Sequence, residues 1–85
     1  MSALTRNDVM RMIAFGKSLR GLDLSGANLC WLDLSGENLS GANLTGANLT
    51  GANLSGANLL GCLLTGANLM DVDLIGAILP DGFRK

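Results

Sequence analysis

Eighty-five residues allow one small domain, which buries a smaller share of its surface than an ordinary globular domain does. Seven acidic against six basic residues leave the charge near zero, which excludes a basic face holding nucleic acid and an acidic tail seeking cationic partners. With no histidine and no CxxC pair there is no recognisable zinc set; Cys30 and Cys62 are too few for a disulfide framework and read as free thiols. First in chain order, residues 1–16 read as a capping helix. Thr5 is its N-cap, Asp8 favours the positive end of the helix, and Leu4 with Val9 fits a hydrophobic staple. The helix is predicted to run to about Phe15 and to stop at Gly16, with Val9, Met12 and Ile13 forming its apolar face. Arg6, Asp8, Arg11, Lys17 and Arg20 interrupt any apolar core, so this segment is not a secretory signal. The longest uncharged stretch, Asn38 to Met70, is studded with Asn, Ser, Thr and Gly and is not a membrane span. The expected compartment is the cytoplasm, with neither membrane nor nucleic acid as partner.

From residue 17 onward the chain repeats itself. Leu recurs every five residues at 19, 24, 29, 34, 39, 44, 49, 54, 59, 64, 69, 74 and 79. Two residues before each Leu stands a mostly small apolar residue: usually Ala, with Leu22, Leu32, Cys62 and Val72 as variants and only Lys17 and Glu37 breaking the column. Two residues after each Leu stands Gly in ten of thirteen units, the exceptions being Trp31, Asp71 and Asp81. An α-helix cannot use this pattern, because five residues advance about 500° and leave each Leu roughly 140° around from the last. A straight strand cannot use it either, because an odd period throws successive leucines to opposite faces. The backbone must turn once per unit, at the glycine that tolerates positive φ. One unit cannot bury its own leucine, so successive coils must stack into a solenoid.

The tandem A-N-L-S-G and A-N-L-T-G units between Lys17 and Asp81 resemble the pentapeptide-repeat family, whose signature is A-[DN]-L-x-x. The resemblance implies an all-β solenoid: a right-handed quadrilateral β-helix with four pentapeptides per coil. Residues 17–81 would then make about three coils, a tower roughly 16 Å long at about 4.8 Å per coil. Residues 82–85 remain as a C-terminal tail.

The two ends differ. No second helix follows Pro80-Asp81-Gly82, where a turn ends the ladder, and Phe83 is a small lid. Outward positions become apolar near this end: Leu60, Leu63, Met70, Ile75 and Ile78 stand where earlier units carry polar residues. An open edge with apolar neighbours invites pairing, and a two-fold end-to-end homodimer would satisfy both copies. An unidentified protein partner is the other occupant considered. Trp31, with its ring lying over Gly51 or against the helix, or serving as a partner hot spot, completes a candidate surface of Trp31, Leu60, Leu63, Met70, Ile75, Ile78 and Phe83.

The other columns read as structural. The asparagines, and Asp23, Asp33 and Asp73 at the same place in the unit, suit corner turns better than a ligand array. The mixed Ser/Thr column is too small for an ice-binding ladder. The pairs Asp71 with Asp73 and Asp33 with Glu37 lack a nucleophile or oxyanion arrangement, so no catalytic residue, cofactor or metal ligand is expected. The expected function is a non-enzymatic structural or protein-interaction module. The resemblance also implies an alternative, a DNA mimic acting on DNA gyrase. That needs about nine negative charges over 16 Å, at one per 1.7 Å. Six acidic residues in the repeats, partly offset by basic ones, do not supply them.

Overall fold

The computed structural model describes residues 4–83. One helix, α1, spans Arg6–Ala14. It begins at a reciprocal capping box: the Asp8 amide donates to Thr5 Oγ1 at 3.2 Å and the Thr5 amide donates to Asp8 Oδ2 at 2.9 Å. It ends in paired closing bonds, with the Gly16 amide on the Ile13 carbonyl and the Lys17 amide on the Met12 carbonyl, around Gly16 at φ +69°. Val9 is fully buried in the same cluster as Leu19 and Leu24, and Leu4, Met12 and Ile13 lie partly buried against it. The predicted apolar face therefore does meet the repeats. Among the described residues no helix is long and apolar enough to cross a membrane.

The repeats follow as a stack of parallel bridges with one constant offset. Asp23 pairs with Asn43, Asn43 with Leu63, Asn38 with Asn58 and Asn58 with Ile78, always twenty residues apart. Twenty residues are four pentapeptides, so the number of sides, which periodicity alone leaves open, is set by the ladder. Each rung carries the same bonds: the Leu24 amide donates to the Asn43 carbonyl at 2.8 Å, the Gly26 amide to Thr45 at 2.9 Å, and the Asn43 amide returns to Leu22 at 2.9 Å. The leucines point inward. Leu19 to Leu54 at five-residue steps are wholly buried and Leu59 is 1% exposed, with Ala42, Ala47, Ala52 and Ala57 filling the corners between them. No polar or charged side chain is buried among the described residues, so the core contains nothing that requires an internal partner.

The polar columns maintain the turns. Where a unit carries Asn or Asp before its Leu, the Oδ1 accepts the amide two residues on, as in Asn48 with Thr50 and Asn68 with Met70, both at 3.0 Å. Where Ser or Thr follows, its hydroxyl often donates to the same oxygen: Ser25 to Asp23, Ser35 to Asp33, Thr50 to Asn48 and Ser55 to Asn53. These hydroxyls are engaged within their own turn rather than standing free as a flat ladder. The hydroxyl and amide of Ser25, and those of Ser35, hold the Asp23 and Asp33 carboxyls below their ordinary pKa.

Candidate functional site

Burial changes along the stack, and the change locates the candidate surface. Leu64, Leu69 and Leu74 are only partly buried and Leu79 is 37% exposed, because no described coil covers them. The outward positions over the same coil are apolar and open: Leu60, Leu63, Met70 and Ile78 are exposed and Ile75 is 79% exposed. The ladder places each of them over a polar predecessor, as Ile78 over Asn58 and Leu63 over Asn43. Phe83 differs from the rest of this group in being partly buried. The turn at Pro80–Phe83, closed by the Phe83 amide on the Pro80 carbonyl at 3.1 Å, lies beside Cys62–Thr65, and the two segments line an open groove of about 300 Å³. Leu63 and Phe83 both line that groove.

Trp31 stands apart from these residues. It occupies a glycine position and adopts φ +63°, and Asp71, two coils on at the same corner, adopts φ +60°. Between them sits Gly51, whose amide donates to Met70 while the Trp31 amide donates to Thr50. A methyl group on Gly51 would overlap the Trp31 ring. The ring therefore lies over Gly51, one of the two structural placements expected for it, yet it remains 69% exposed. Trp31 and Met70 share a corner but are two coils apart, about 10 Å at the usual strand spacing.

Sequence reasoning missed two side chains. Arg6 Nη1 donates to the Cys30 carbonyl at 2.7 Å and to the Asn28 carbonyl at 3.3 Å, pinning α1 to the first coil. Its only sequence signal is a basic residue in the first helical turn, where the helix dipole disfavours it. Cys62 replaces an alanine of the inner column; its thiol donates to the Leu39 carbonyl, and burial pushes its pKa up. Both cysteines are free thiols. Among the described residues no three His, Cys, Asp or Glu side chains gather where they could hold a metal ion.

A profile of pentapeptide repeats matches eight copies, over residues 23–59 and 47–81. The chain belongs to the pentapeptide-repeat family. Solved pentapeptide-repeat proteins resemble it in structure. Rfr23 from the cyanobacterium Cyanothece 51142 is 39% identical over 74% of this chain and 44% of its own, with a TM-score of 0.72. HetL from Nostoc sp. strain PCC 7120, involved in heterocyst differentiation regulation, is 44% identical over 81% of this chain and 32% of its own, with a TM-score of 0.50. A further pentapeptide-repeat protein of Nostoc PCC 7120, alr5209, is 26% identical over 99% of this chain and 93% of its own, with a TM-score of 0.52. The chain thus spans less than half the length of Rfr23 and of HetL. No curated protein matches the sequence. Pentapeptide-repeat proteins form right-handed quadrilateral β-helices, and the twenty-residue ladder is the same four-sided arrangement.

Proposed function

We propose that this pentapeptide-repeat protein is a non-enzymatic interaction module of about three coils, capped by α1 at one end and joined to a second copy through the other. The observation that carries this reading is the asymmetry of the leucine stack. Leu19 to Leu59 are shielded on both sides, whereas Leu64, Leu69, Leu74 and Leu79 form an apolar floor with no described coil above it. Two copies meeting there by a two-fold axis cover both floors at once. The backbone permits it. In the last coil the Leu64 amide and the Cys62 carbonyl occupy the places from which Leu44 and Ala42 bond to the next coil, the spacing that a non-hydrogen-bonded antiparallel pair requires. A regulatory part, as HetL is described as having, suits such a module, since it works by contact rather than by turnover. The DNA-mimic alternative has no comparable support, because the six acidic residues of the repeats, partly offset by basic ones, fall short of the charge density of a duplex.

Light scattering on the wild type and on Ile78→Asp tests the reading. The wild type is expected to run at twice its 8.8 kDa mass and Ile78→Asp, a charge beside the proposed interface, at the monomer mass. A wild-type monomer across the whole concentration range would remove the dimer.

A further inference from the structure

The near-zero total charge conceals an uneven distribution. Between Arg20 and Arg84 the sequence has no Lys or Arg, yet it has six acidic residues. The ladder gathers three of those six beside one corner. Trp31, Gly51 and Asp71 end successive units one above another, with the Trp31 amide on the Thr50 carbonyl and the Gly51 amide on the Met70 carbonyl. Two residues on from each, Asp33, Asn53 and Asp73 form the adjoining outward column, paired in register.

At this corner an aromatic face is held open. A methyl on Gly51 would meet Cδ2, Cε3 and Cζ3 of Trp31, three neighbouring atoms of the six-membered ring, so the indole turns its flat face, not an edge, toward the glycine. Gly51 is partly buried beneath it while the ring is mostly exposed, which leaves the opposite face to solvent. Asp71 stands one coil beyond Gly51, about 4.8 Å at the usual strand spacing. Asp33, Asp71 and Asp73 are all exposed. The turns engage only Oδ1 of Asp33 and Asp73, so Oδ2 of each can accept a further donor. Arg6 reaches the Cys30 carbonyl from the opposite edge of the first coil and is committed there.

We propose that the corner of Trp31 and Asp71 is a docking site for an arginine side chain on a basic segment of a partner protein. The face of an indole ring attracts a cation through its quadrupole. A guanidinium is flat enough to stack on that face while its N–H fork reaches a carboxylate at the ring's margin, which the single point charge of a lysine cannot do in one plane. Met70, exposed beside Asp71, offers an apolar contact for the methylene stem. Charge complementarity selects this occupant: an acidic segment is repelled by the three carboxylates, and an apolar one would bury them unpaired. Trp31 and Asp71 also hold glycine positions at positive φ, a strain the fold itself does not require. The site lies on the side of the stack, apart from the leucine floor, so it goes beyond the self-association proposed above and does not depend on it.

The test is an NMR titration of the wild type with an end-blocked peptide of alternating glycine and arginine, and with the same peptide carrying citrulline, which keeps the planar shape and loses the charge. The arginine peptide is expected to shift the Gly51 and Asp71 amides saturably, its own δ-methylene protons moving upfield under the indole ring current. The citrulline peptide is expected to do neither, and high salt to weaken the arginine peptide's binding. Trp31→Gly, which restores the repeat, is expected to abolish the saturable shift. Asp33→Asn/Asp71→Asn/Asp73→Asn places a residue that these turns and a left-handed corner accept, and is expected to weaken binding about five- to tenfold. Equal binding of the citrulline peptide would overturn the proposal. An unchanged Kd in Trp31→Gly would do so as well, by reducing the effect to diffuse attraction toward the carboxylates. No saturable shift of the two amides with the arginine peptide would end it on the wild type alone, whether or not the variants fold.

Discussion

Position 31 shows how one residue can break a repeat without breaking the fold. A tryptophan at φ +63° bears the strain that glycine avoids, about 1–2 kcal/mol for an L-residue in the left-handed region, and its ring covers the glycine one coil on. Two glycines of the same backbone conformation then separate strain from collision. Gly46 at φ +70° has open space where a methyl would go, whereas Gly51 at φ +67° has the Trp31 ring. Gly46→Ala is expected to cost about 1–2 kcal/mol from strain alone. Gly51→Ala is expected to cost at least about 1 kcal/mol more, because the ring must move off its seat. In a Trp31→Gly background the two should become equal, which a double-mutant cycle by urea denaturation checks. The glycine at 51 was readable from the repeat, and the ring over it was one of two placements expected from four-sided stacking; the structure chose between them, because the residues that touch are twenty apart and meet only once the coil is built.

Most turns carry a short side chain that accepts the amide two residues on, and aspartate does this as a charge where asparagine does it neutrally. That difference has a pH signature. The Ser25 and Ser35 hydroxyls and amides favour the ionised Asp23 and Asp33, so their folded pKa values lie below the unfolded 3.8. The stability this contributes is full above the unfolded value and is lost as pH falls through the folded ones. Asp8 acts in the same direction, its carboxyl lowered chiefly by the Thr5 amide at the start of α1. The melting temperature is therefore expected to be flat between about pH 7 and 5 and to drop below about pH 4. Asp23→Asn/Asp33→Asn, which places at both turns the residue used at Asn43 and Asn53, is expected to make that drop shallower. Thermal melts followed by circular dichroism at each pH read it directly; an unchanged slope would assign the acid loss to other groups.

Over the whole molecule, stability is graded from one end to the other. Leu49 lies wholly buried with a coil on each side, whereas Leu79 has a described coil only beneath it. Truncating a buried leucine to alanine leaves a cavity that neighbouring coils cannot collapse around, and Leu49→Ala is expected to cost about 2–5 kcal/mol. Leu79→Ala is expected to cost less than about half as much in the monomer, where part of the side chain is already hydrated. At a concentration where the proposed dimer would be full, the gap should narrow, because a partner on that end would cover Leu79. Denaturant titrations of both variants at low and high protein concentration provide that comparison.

The leucine column, the small residues two before it and the glycines two after it already dictate a backbone that bends every five residues and buries one face. Thr5 and Gly16 likewise mark the ends of α1 to within a residue, since caps and turns are local chemistry written in adjacent side chains. The number of sides followed from the resemblance to a known family and, in the molecule itself, from the twenty-residue offset of the ladder. Only the tertiary structure decided that Arg6 bonds the Asn28 and Cys30 carbonyls, that Trp31 seats on Gly51, and that Cys62 reaches the Leu39 carbonyl. Each of these joins residues twenty or more apart through a contact whose partners are backbone or a bare glycine. A backbone carbonyl looks the same in every unit of a sequence, and only the position of the coil in the stack says which one lacks its donor.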